Sequence, residues 1–173
     1  MPKNDSSLHP AIEEYEAKTS HETARLARQA ARAGLPQPFG DPLCGVALVA
    51  EPAAEPMVSR MVDALRRSFA AVKLDRVYVT WSHPDLLEEI LSIEPDVLVA
   101  TGPNASRAID SCNYPLVKMA FSEAPEGSWF AWTKGTRGLR LPALVPALDD
   151  VDAKRRFWAA FLALRTLAPD DSG

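Results

Sequence analysis

The chain has 173 residues, 47% of them hydrophobic and 24% charged, which suits one globular domain and is short for two. A formal net charge of −4 excludes the overall basic excess that marks most nucleic-acid binders, so any such binding would need a local patch. Two cysteines, Cys44 and Cys112, and three scattered histidines, His9, His21 and His83, set out neither a disulfide framework nor a metal site, and no cofactor is expected.

Residues 1–42 read as an N-terminal helical extension that packs on the main domain. The first ten residues are polar, carry two prolines and are expected to fray. They lack the apolar stretch of a signal peptide, and no later run is long enough to span a membrane, so a cytoplasmic location with no membrane partner is expected. A helix is predicted from near Ser7 or Pro10 toward Gly34, with Ile12, Tyr15, Leu26 and several alanines as a broken apolar stripe. Thr19 and Ser20 suggest an interruption, with Ser20 capping a second segment. The run from Gly34 to Pro38 stops it.

The main domain is predicted over 43–168, with 169–173 a disordered tail. Cys44 to Ala50 is a continuous apolar run between Pro42 and Pro52, the pattern of a parallel strand buried on both faces. Glu55 to Phe69 places Met57, Val58, Met61, Leu65 and Phe69 on one helical face. Arg76 to Trp81 is a second strand, and Asp85 to Ile93 a helix with Ser82 or His83 near its cap. Asp96 to Thr101 is a third strand that turns through Gly102 into a helix ending near Ser111. Tyr114 to Phe121 is predicted as a fourth strand. Residues 128–133 and 138–144 flank a tight turn at Gly135. Asp149 to Leu167 is the last helix, capped by Asp149 or Asp150, with Phe157, Trp158, Phe161, Leu164 and Leu167 inward.

Strands alternating with helices predict an α/β fold: a three-layer α/β/α sandwich around a short, mainly parallel, four-stranded sheet. Such folds bind ligands beyond the carboxyl ends of their strands. The loops to inspect are therefore 51–56, 82–85, 102–104 and 145–150.

The segment from Val46 through Glu51 to Glu55, the strand Val77 to Thr80, the stretch Leu86 to Asp110 with its Pro95-to-Gly102 core, and the region Trp132 to Leu167 together resemble the uracil-DNA glycosylase superfamily, especially its small bacterial and archaeal branches. The resemblance implies that Glu51 stands where that family's acid positions water. It also exposes departures. Ala50 replaces a glycine, and the loop that supplies a stacking phenylalanine is missing. Trp81 stands where the family reads uracil with an asparagine, and Val145, Pro146 and Ala147 replace the loop whose histidine stabilises the departing base. His83-Pro84 matches the letters of that loop but follows the second strand. Cluster-binding branches need four cysteines, and only two are present. The resemblance therefore implies a divergent member without efficient uracil excision.

Glu51 is the candidate catalytic or ligand-binding acid. Trp81 and His83 form a candidate stacking platform, against the simpler reading of a core tryptophan and a histidine at a helix start. Gly102 and Asn104 open a helix that is a candidate ligand-binding turn, against a plain capped turn. Lys134, Arg137 and Arg140 on the hairpin are candidate nucleic-acid contacts, as is the basic run Lys154 to Arg156, against solvated faces offset by nearby aspartates. The expected role is binding of a nucleobase-like small molecule, DNA or a protein partner. The alternatives are an active hydrolase using Glu51 on another nucleoside or modified base, and an interaction domain without ligand. Oligomeric state is open.

Overall fold

The computed structural model describes residues 8–169. Residues 1–7 of the expected frayed start and 170–173 of the expected tail lie outside the described residues. The chain is an α/β protein with a mixed, mostly parallel sheet of five strands in the order β2-β1-β3-β5-β4. The strands are β1 (Val46–Ala50), β2 (Tyr78–Trp81), β3 (Val97–Thr101), β4 (Trp129–Ala131) and β5 (Arg137–Leu141). The helices are α1 (Leu8–Arg32), α2 (Met57–Ala71), α3 (Leu86–Ile93), α4 (Pro103–Ser111), α5 (Leu144–Asp149) and α6 (Val151–Phe161).

β1 lies between β2 and β3 and is parallel to both, with Ala50 opposite Trp81 and Val49 opposite Ala100. β5 extends the parallel set from β3, and β4 adds an antiparallel edge. Alternation along each strand divides the core in two. Leu48, Val79, Val99 and Leu139 face α2, α5 and α6, meeting Met61, Leu65, Ala147 and Phe161. Ala47, Val49, Leu98 and Ala100 face α3 and α4, meeting Leu86, Ile90 and Ile109. Beyond β2, Phe39 makes a single bridge to Val79: its N–H donates to the Val79 carbonyl at 3.0 Å, and its carbonyl accepts from the Val79 N–H at 2.8 Å.

Four expectations need correction. The sheet has five strands rather than four. Tyr114 to Phe121 is not one of them: Asn113 and Leu116 adopt left-handed φ values of 51° and 61°, and both Asp110 carboxylate oxygens take the amides of Phe121 and Ser122. A chain bent this way has no extended edge to offer. α1 is not interrupted at Thr19 and Ser20, because the Thr23 hydroxyl donates to the carbonyls of both within the helix. Residues 145–149 belong to α5 rather than to a loop, since Pro146 sits in the first turn, where a missing N–H costs nothing. The last helix starts as expected, with Asp150 extended and capping α6 by accepting from the amides of Asp152 and Ala153. Phe157, Phe161 and Leu164 are buried as expected, whereas Trp158 is 36% exposed.

α1 lies along α3. The Thr19 hydroxyl donates to the Ser92 carbonyl at 3.1 Å, Arg25 pairs with Glu88 at 3.0 Å, and the Tyr15 hydroxyl donates to Glu94 at 2.8 Å. No helix among the described residues is long and apolar enough to cross a membrane.

The hairpin depends on a bare backbone position. Gly138 is paired with Phe130, and a Cβ on it would come within 2.3 Å of the Phe130 ring. Gly138→Ala is expected to lower the unfolding free energy by about 1–3 kcal/mol through overpacking. Urea titration checks this as a lower midpoint at unchanged slope.

Candidate ligand pocket at the carboxyl ends of the strands

The strand order fixes where a crevice opens. From β1 the chain crosses outward to β2, then returns past β1 to β3 on its other side. Connections leaving β1 and β3 therefore diverge, and their carboxyl ends border a topological switch point. Glu51 follows β1 there, and Gly102 follows β3.

Gly102 has φ of 88°, in the left-handed region that favours glycine. A Cβ on it would lie 3.1 Å from Glu51 Oε1 and 3.2 Å from Ala143. Pro103 is the first residue of α4 and has no amide hydrogen, and Gly102 has no side chain to cap the helix. The acceptor comes instead from the neighbouring strand: the Asn104 N–H donates to Glu51 Oε1 at 3.0 Å. Asn104 lies inside α4 rather than at its cap, and its Oδ1 accepts from the Arg107 guanidinium. Glu51 thus acts as a cap supplied from a distance, and its negative charge suits the positive end of the helix.

Behind this contact lies a cavity of about 240 Å³, lined by Glu51, Thr101, Pro103, Asn104, Met61 and the segment Ala143 to Pro146. The Thr101 hydroxyl is turned to the Val49 carbonyl at 3.3 Å, which leaves Glu51 and Asn104 as the polar side chains available to a ligand. The rest of the lining is mostly apolar, as is usual for small-molecule sites.

Trp81 and His83 do not join this pocket. Trp81 is 2% exposed, and its indole N–H donates to the Gln37 carbonyl at 3.1 Å. His83 accepts from the Asp85 amide at Nδ1, which places its proton on Nε2, 3.0 Å from Glu89 Oε1. Glu89 is the hub the sequence reading missed. It is 2% exposed and also accepts from the Tyr78 hydroxyl at 2.7 Å and the Thr80 hydroxyl at 2.6 Å. α1 and the segment Leu35 to Pro38 cover this cluster, leaving a void of about 10 Å³. The available signal was the alternation of Tyr78 and Thr80 on the strand face toward α3.

The turn of the basic hairpin lies at the opposite end of the sheet, whereas Arg140 pairs with Ala100 near the carboxyl end of β3. Arg137 pairs with Val97, the first residue of β3, and the Thr136 hydroxyl donates to the Pro95 carbonyl at 2.6 Å. Arg137 stacks on Trp129 at 4.7 Å, while Arg140 donates to the carbonyls of Ser122 and Ala124. Lys134, between these elements, is exposed. A wider groove of about 660 Å³ runs between α2 and α5–α6, with Leu148, Val151 and Trp158 in its lining and Arg67, Lys154 and Arg155 beside them. Arg60 pairs with Asp149 across it at 2.6 Å. No protein-family model matches the chain, and no curated protein matches it.

Glu51→Ala is expected to lower stability by about 1 kcal/mol through loss of the α4 cap, measured by thermal or urea unfolding. Burial, then the charge of Glu89, pushes the Tyr78 phenol far above its ordinary value. The folded protein therefore keeps that proton when the unfolded chain loses it at pH about 10. The stabilisation is complete below that pH and is lost as pH rises above it. Tyr78→Phe should flatten the alkaline fall in stability by up to about 1.4 kcal/mol per pH unit, read from urea midpoints between pH 9 and 11.

Proposed function

We propose that the chain is a divergent uracil-DNA glycosylase-like domain, a cytoplasmic three-layer α/β/α sandwich whose pocket at Glu51 and Asn104 binds a nucleobase-like ligand without efficient uracil excision. One observation carries the reading. The resemblance equates Glu51 with a water-positioning acid, and Val145 to Ala147 with a loop that acts on the departing base. These segments are far apart in sequence, yet Glu51, Val145 and Pro146 line the same cavity.

The chemistry of that cavity favours binding over cleavage. Breaking an N-glycosidic bond leaves negative charge on the base, which needs a donor or cation. Among the described residues, no Lys, Arg or His lines the cavity. Losing one such donor typically costs about a hundred- to a thousandfold in rate. Glu51 retains the charge to orient water, but one of its oxygens is held by the Asn104 amide.

Incubation with single-stranded and duplex uracil-containing oligonucleotides is expected to release no more uracil than the Glu51→Gln variant does. Release by the wild type that disappears in Glu51→Gln would replace this reading with an active N-glycosidase. Thermal shift against free bases and nucleosides tests occupancy; a ligand at a hundred times its Kd raises stability by about 2.7 kcal/mol.

The groove between α2 and α5–α6 favours a second reading, a protein-interaction domain. Trp158 and Val151, 36% and 63% exposed, give it the apolar floor such contacts use. Failure of every base and nucleoside to shift the melting temperature would move the weight to this surface.

A further inference from the structure

We infer that the pocket prefers bases whose edge carries two adjacent N–H donors beside a carbonyl, the guanine type, over bases that lack the second donor. The inference rests on the base-binding reading above and names which base that site would select.

The hydrogen-bonding groups left free in the pocket decide it. Glu51 Oε1 is engaged by the Asn104 amide, while Oε2 makes no hydrogen bond among the described residues. A carboxylate only accepts, and its two oxygens offer about four lone-pair sites in one plane. It therefore matches a pair of parallel N–H groups and repels a carbonyl or ring nitrogen placed opposite. Asn104 supplies the complementary group. Its Oδ1 is occupied by Arg107, so its Nδ2 hydrogens remain as donors for a carbonyl next to the donor pair.

Size and charge narrow the class further. About 240 Å³ falls below the roughly 300–1,000 Å³ of pockets for drug-sized ligands and suits a single flat ring system. Met61, Leu144 and Pro146 provide apolar surface for its faces. With no cation in the lining, a phosphate gains no anchor inside the cavity, so recognition falls on the base itself.

The test compares 9-methylguanine, 9-methylhypoxanthine and uracil by calorimetric or NMR titration of the full chain. The two purines differ only in the 2-amino group. Removing a hydrogen bond to a charged acceptor predicts about a ten- to hundredfold weaker binding of 9-methylhypoxanthine. Glu51→Gln should bring the two purines to near-equal affinity. Asn104→Ala keeps the backbone amide, and it should weaken both purines alike because both carry the carbonyl. Equal affinities in the wild type, a guanine preference that survives Glu51→Gln, or a purine ratio altered by Asn104→Ala would each overturn the inference while leaving base binding intact. No binding of any base at millimolar concentration removes the base-binding reading, and this inference with it.

Discussion

A carboxylate from one strand holds the start of a helix that follows another. The bond from the Asn104 amide to Glu51 closes the gap between the ends of β1 and β3, where the sheet changes direction. Three neighbours make it necessary. Gly102 turns the chain but offers no side-chain cap, Pro103 has no amide hydrogen, and the first amide of α4 is therefore that of Asn104. The first amides of a helix have no acceptor within it, and Glu51 supplies one while placing a negative wall on the cavity. The same interaction thus serves the fold and sets the polarity of the site.

Glu89, in the first turn of α3, shows the other fate of an acid beside the sheet. It lies beneath α1, surrounded by the hydroxyls of Tyr78 and Thr80 and the imidazole of His83. A buried carboxylate is tolerable when its lone pairs are filled, and here three donors fill them. The cluster consequently fixes α3 against β2 and leaves almost no room for a ligand. Leu35 to Pro38 cover the end of β2, whereas Glu51, Thr101 and Ala143, at the ends of β1, β3 and β5, border the cavity.

The elements that the sequence made legible are those whose own periodicity decides them. The apolar runs at Val46–Ala50 and Val97–Thr101 are buried on both faces, and the stripe Met61, Leu65, Phe69 marks α2 without help from elsewhere. Tyr114 to Phe121 misled because its apolar content is local, whereas the Asp110 clamp that bends it belongs to the preceding helix. Glu51 and Asn104 were legible as strand-end residues, and their contact follows from the parallel register. Trp81 and His83 looked equally open, since nothing near them in sequence reveals that Leu35 to Pro38 lies over them. Glu89 escaped notice because an acid in the first turn of a helix ordinarily points to water.

The lone bridge between Phe39 and Val79 has a consequence for how copies of this chain meet. It occupies part of the outer margin of β2, and the flanking Pro36, Pro38 and Pro42 cannot donate to a further ladder. At the other margin, β4 is only three residues long. Unpaired edges recruit strands from other molecules and lead toward fibrils, and short or proline-guarded margins suppress that route. Self-assembly by cross-β extension is therefore disfavoured from both sides, which protects a four-residue strand as short as β2 from templating aggregation during refolding at high concentration.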